Sequence, residues 1–127
     1  MTEWAKGIGA ITMFVEDLGE TSTFYREVFG LTSIHEDESS TAFQFGGTVL
    51  NLLAVGAAPE LVEPASPAAA DAGVRTVFSI GVEDVDATCQ LLAERGVELH
   101  NGPMDRPWGI RTASFRDPAG HVWEIAQ

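Results

Sequence analysis

Few side chains in this chain combine a reactive type with a spacing that does chemistry. The three histidines, His35, His100 and His121, are widely separated, and nothing in the pattern brings two of them together. No imidazole pair is therefore offered for a metal. His35 runs into Glu36, Asp37 and Glu38, which reads as a solvated strand end. The lone cysteine, Cys89, excludes an internal disulfide framework and a cysteine-based zinc cluster. It falls on the apolar side of a helical stretch, where a thiol behaves as a small hydrophobe. No nucleophile elbow occurs, and Gly7-Ile8-Gly9 leads into a strand pattern where a phosphate cradle needs a helix. What remains is carboxylate chemistry and aromatic stacking. Glu124, in the last strand pattern, can act as a base if burial raises its pKa, or can anchor a hydrogen-bond donor or cation. Trp108, bounded by Pro107 and Gly109, either packs on the core or stacks on a ligand.

Bulk composition narrows the partners. The chain has 127 residues, 19 acidic and 7 basic, for a net charge of −12. Such a surface repels phosphate backbones and the basic residues do not cluster, so no nucleic-acid partner is expected. No apolar run approaches the roughly 18 residues of a membrane span. The start, Met1-Thr2-Glu3-Trp4-Ala5-Lys6, lacks the features of a signal peptide, so cytoplasmic residence and no membrane partner are expected. The length fits one domain with a substantial core.

The elements that must hold these candidates come twice. Val15-Glu16-Asp17-Leu18 returns as Val82-Glu83-Asp84-Val85, 67 residues on. Thr21 then matches Thr88, Phe24-Tyr25 matches Leu91-Leu92, and Gly30-Leu31 matches Gly96-Val97. Gly47 to Leu52 aligns with Gly120 to Ile125, which pairs Asn51 with Glu124. Each copy reads as strand, helix and three strands. In the first, Ile8 to Val15 is a strand, Asp17 caps a helix that Gly30 stops, and Thr32 to His35, Thr41 to Phe45 and Val49 to Val55 are strands. Gly46-Gly47 makes a hairpin turn. In the second, Val74 to Val82 is a strand and Asp84 caps a helix with Val85, Thr88, Cys89 and Leu92 on its buried face. Val97 to His100 is a short strand, and Ile110 to Phe115 and His121 to Ile125 form a hairpin about Asp117-Pro118-Ala119-Gly120. The expected fold is α+β: two βαβββ modules, residues 7–56 and 74–127, forming cupped, mostly antiparallel sheets in a single domain. Residues 57–73, with three prolines, read as a linker or mobile flap outside the core. Residues 102–109 read as a second irregular stretch.

Three motifs together carry a resemblance. The Val-x-Asp-Leu end of the first strand, the helix end Phe24-Tyr25-x-x-Val28-Phe29-Gly30-Leu31, and the finish Asp117-Pro118-x-Gly120-x-x-x-Glu124 resemble the vicinal oxygen chelate superfamily. That group holds glyoxalase I, bleomycin-resistance proteins and extradiol dioxygenases, and the resemblance spans nearly the whole chain. It implies the paired βαβββ fold and, in metal-using members, one ligand from each of four strands. Carried onto this chain, those positions read Ala10, Asn51, Val77 and Glu124. Alanine and valine have no donor atom, and one carboxylate with one amide cannot hold a catalytic divalent ion. No metal and no cofactor are expected.

The same positions mark a ligand wall, because alternate residues of a strand share a face. Thr12 and Phe14 follow Ala10, and Ser79 follows Val77. Val49 accompanies Asn51, and Val122 and Ala126 accompany Glu124. The third strand offers Phe43 and Phe45. The seventh offers either Arg111, Ala113 and Phe115 or Ile110, Thr112 and Ser114, and Arg111 and Phe115 are carried forward as ligand candidates with Trp108. In a closed core Glu124 would instead pair with Arg111 or Arg116. The expectation is metal-independent binding of a small amphipathic ligand, cationic or aromatic, as in the drug-sequestering bleomycin-resistance branch. The alternative is a glyoxalase- or dioxygenase-like lyase, isomerase or oxidoreductase with Glu124 as the only catalytic candidate. A homodimer is expected.

Overall fold

The computed structural model describes residues 4–127. The chain forms two compact units, one ending at Pro67 and one spanning Ala68–Gln127. Each carries a four-stranded mixed sheet, and the fold class is α+β.

The first unit runs β1 (Ala10–Val15), α1 (Leu18–Glu27), β2 (Ser33–Glu36), β3 (Ser40–Phe45) and β4 (Thr48–Ala54). Its sheet order is β1-β4-β3-β2, with β1 parallel to β4 and the other pairings antiparallel. Local chemistry sets the helix ends. The Asp17 carboxylate accepts the Glu20 amide, which satisfies one of the first-turn N–H groups that have no partner inside the helix. Past the helix end Gly30 takes φ +71°, open to glycine without strain. Helix α1 then lies on the sheet face made of Met13, Val15, Phe43, Leu50 and Leu52. The Tyr25 ring lies tilted 6.1 Å from Phe43, and Phe29 meets Phe45 edge-on at 5.9 Å. Each such fully buried apolar side chain is worth about 1.5–3 kcal/mol.

The short helix α2 (Pro59–Val62) closes the first unit's described elements. The second unit repeats the plan as β5 (Val77–Gly81), α3 (Val85–Glu94), β6 (Leu99–Asp105), β7 (Arg111–Arg116) and β8 (Val122–Ala126), in the order β5-β8-β7-β6. Asp84 accepts the Ala87 amide at the start of α3, and the buried face of that helix is Val85, Cys89 and Leu92. Ala113, Phe115, Trp123 and Ile125 complete the core of this unit. In the β7–β8 turn the buried Asp117 accepts the Ala119 and His121 amides, each at 2.9 Å.

Two expectations need correction. Residues 57–73 are not wholly outside the core: Ala58 is fully buried, just ahead of α2. The Ala70 carbonyl oxygen lies 3.1 Å from where a Cβ on Gly120 would sit, so that stretch also packs on the last turn. Residues 102–105 are strand, not loop, because β6 continues through two irregularities in its pairing with β7. Only Arg106 to Ile110 remain as a turn, closed by Arg106 N–H to the Ile110 carbonyl at 2.7 Å and Gly109 N–H to the Arg106 carbonyl at 3.0 Å.

Candidate functional site

In the second unit the register aligns four side chains across four strands. Ser79 pairs with Glu124, Glu124 with Ser114, and Ser114 with Asn101. Residues directly opposite share a face, so this is one polar row running from β5 to β6 on the side away from α3. The Ser79 hydroxyl donates to Glu124 Oε1 at 2.8 Å. Ser114 Oγ is buried and has no hydrogen-bond partner among the described residues. Arg106 reaches back onto the row: its Nε donates to Thr112 Oγ1 at 2.8 Å and its Nη2 to Asn101 Oδ1 at 3.0 Å. Thr112 lies on the same face, two residues from Ser114. The Trp108 indole is 68% exposed, with the Arg106 guanidinium 6.0 Å from its ring.

In the first unit the equivalent row is Thr12, Asn51, Ala42 and His35. Asn51 Nδ2 stands 3.5 Å from Thr12 Oγ1, the limit of a hydrogen bond. His35 Nε2 meets Asp37 Oδ2 at 2.9 Å. That contact, with the Ser39 and Ser40 donors, holds the Asp37 carboxyl well below the usual carboxylate range. Phe14 shares the Thr12 face, as alternation requires.

Four of the expected ligand residues fall on the opposite faces. Phe43 and Phe45 point to α1, because Ala42, not Phe43, is the residue opposite Asn51. Phe115 and Arg111 lie on the α3 side, because Ser114 is the residue opposite Glu124. Arg111 accordingly binds Asp86 on α3, at 2.9 and 3.1 Å, and Asp105 at 3.1 Å. The pairing holds the Asp86 carboxyl below its ordinary value and raises the Arg111 guanidinium above its own. Arg116 donates to His100 Nδ1 at 3.2 Å. Neither arginine meets Glu124. Thr112 and Ser114 belong to the alternative face that alternation left open for the seventh strand, and Asn101 and Arg106 were not among the candidates. The hairpin register held the deciding signal, since the Asp117–Gly120 turn makes Arg116 face Val122 and so fixes every pair beyond it.

The four positions that hold metal in metal-using relatives do not fit an ion. Ala10 and the 51% exposed Val77 supply no donor, and Glu124 accepts from Ser79. Among the described residues no group of three His, Cys, Asp or Glu side chains comes together. A cavity of about 380 Å³ lies off the row, at the end of the β6–β7 hairpin, lined by Asp105, Arg106, Gly109, Ile110, Arg111 and Gln127. No helix among the described residues is long and apolar enough to cross a membrane.

Two βαβββ units, with Glu124 in the middle of the last strand of the second, define a glyoxalase-type scaffold. The sequence profile of the Glyoxalase/Bleomycin resistance protein/Dioxygenase superfamily matches residues 7–125, and the chain belongs to that superfamily. It is 36% identical over 119 residues to the uncharacterized protein YraH of Bacillus subtilis (strain 168), covering 91% of this chain and 93% of that one. A glyoxalase/bleomycin resistance protein/dioxygenase from Nocardioides shares the fold with a TM-score of 0.87 at 23% identity, over 98% of this chain and 85% of that chain. A lactoylglutathione lyase from Agrobacterium tumefaciens shares it with a TM-score of 0.76 at 22% identity, over 95% of this chain and 92% of that chain.

Proposed function

We propose that this protein binds a small amphipathic organic ligand without a metal, in the manner of the drug-sequestering branch of its superfamily. One observation carries the reading. The carboxylate at the one retained ligand position, Glu124, is half-buried, and among the described residues its hydrogen bond is to a neutral hydroxyl, that of Ser79. A carboxylate in that state costs folding energy and gains it back from a donor or cation on the ligand. Trp108 supplies an exposed ring for stacking on an aromatic part. We also propose that the protein is cytoplasmic and forms a homodimer. Strands β1 and β5 are each paired on one side only, and open edges need cover.

A panel of cationic aromatic antibiotics, screened by thermal shift, tests the reading. A ligand that stabilises the wild type should bind Glu124→Gln more weakly by about 1–3 kcal/mol, the worth of a charge-assisted hydrogen bond. Trp108→Ala should also weaken it, with little loss of melting temperature. If no compound shifts the wild type and both variants melt early, the row is structural and the reading fails. Elemental analysis of tag-free protein should find no stoichiometric zinc, nickel, manganese or iron. A sedimentation run at micromolar concentration should give the mass of two chains.

A further inference from the structure

We infer that the Glu124 face of the second unit takes a zwitterion, with its carboxylate on Arg106, its ammonium on Glu124 and Ser114 between them. The inference rests on the reading of this face as a small-molecule site and names the class of ligand. It starts from a buried hydroxyl. Ser114 is 7% exposed and its Oγ has no partner among the described residues, an arrangement that native interiors keep rare. The register places that hydroxyl directly between Glu124 on one side and Asn101 on the other. Neighbouring strands stand about 4.8 Å apart, so a ligand lying along the row spans Glu124 to Asn101 and reaches Ser114 Oγ by parting the side chains that cover it.

The cation at the far end of the row is Arg106. Its two bonds go to neutral oxygens, Thr112 Oγ1 and Asn101 Oδ1. In a chain with 19 acidic and 7 basic residues, no carboxylate among the described residues forms an ion pair with it. Arg111, five residues on, shows the contrast, with both of its bonded neighbours aspartates. Two fixed bonds also hold the guanidinium plane still, so the N–H groups that remain present a rigid fork suited to a carboxylate. A ligand carrying only a cation would satisfy Glu124 and be repelled by Arg106. One carrying only an acid would meet the reverse. A zwitterion matches both ends, and the Trp108 ring beside Arg106 receives an apolar or aromatic tail.

Three probes that share a ring separate the charges: L-phenylalanine, phenethylamine and 3-phenylpropionate, measured by calorimetric titration. Phenylalanine should bind the wild type at least ten-fold more tightly than either of the others. In Arg106→Gln its affinity should fall to that of phenethylamine, and in Glu124→Gln to that of 3-phenylpropionate. Ser114→Ala should lose a few-fold. If Arg106→Gln melts early because Thr112 loses its donor, the double variant Arg106→Gln/Thr112→Val removes donor and acceptor together and makes the same comparison. Phenethylamine binding as tightly as phenylalanine, with both lost in Glu124→Gln, overturns the zwitterion and leaves the broader reading standing. No binding by any of the three also overturns it, and the antibiotic panel then decides the broader reading by itself.

Discussion

The two units share a backbone plan but divide their polar chemistry differently. In the first unit a hydrogen bond sits inside the helix–sheet interface: the Ser22 hydroxyl donates to Thr41 Oγ1 at 2.9 Å, both residues buried. The repeat places Cys89 where Ser22 stands, and the register places Ala113 where Thr41 stands, so the second unit is apolar there. On the other face the order reverses. The first unit carries Ala42 between Asn51 and His35, while the second carries the unpartnered Ser114 between Glu124 and Asn101. Satisfied polar pairs serve stability, and a buried unsatisfied one calls for a specific explanation such as water, an ion or a bound partner. On the proposed reading the first unit is scaffold on both faces, and the second is scaffold beneath and site above.

The comparison can be broken most directly at the aromatic residues that face the helices instead of the expected ligand wall. Phe43→Ala and Phe115→Ala should each cost about 3–5 kcal/mol in denaturant unfolding, the range for emptying a buried aromatic site. A cheap substitution at either would mean that the faces are the other way round. Next in size, Gly102→Ala should cost about 3 kcal/mol. Its φ is +82° and a Cβ would sit 2.5 Å from the Thr112 carbonyl oxygen. Gly46→Ala, at φ +57° in open space, should cost only about 1 kcal/mol by the same measurement.

Smaller effects sharpen the contrast between the faces. Ser22→Ala should cost about 1–2 kcal/mol by stranding Thr41, and Ser22→Ala/Thr41→Val should recover most of it. Calorimetric melting would show whether the pair couples. Ser114→Ala should leave stability unchanged or raise it by up to about 1 kcal/mol, whereas Ala42→Ser should lower it by a similar amount. The least effect belongs to Cys89. Burial, aided by the Asp86 charge, pushes its thiol above the usual range. The folded protein should resist a thiol-reactive dye at pH 8 and react fully in denaturant. Fast labelling without denaturant would show that α3 opens readily.

Much of this architecture is legible in the sequence, because repetition reinforces weak local signals. Asp17 and Asp84 mark the helix starts, Gly30 and Gly96 the stops, and the strands fall within a few residues of their expected places. The faces of β3 and β7 are harder. Both strands carry apolar or small residues on either side, so composition does not choose between them. Pairing geometry does: Gly46-Gly47 puts Phe45 opposite Thr48 and hence Ala42 opposite Asn51. Arg106 is hidden for another reason. Its side chain reaches the row only because β6 extends to Asp105 and then turns back, and the proline at 103 points to a loop there.

The alternation along β7 and β8 also has a bearing on descent. Phe115 and Ile125 hold the fold, while Ser114 and Glu124, each a single step along the chain, face away from the helix. Substitutions at the exposed Ser79 and the half-buried Glu124 should therefore burden folding less than those at the buried 113, 115 and 125. On the proposed reading, binding preference can drift between generations at these positions while the interior beneath stays fixed.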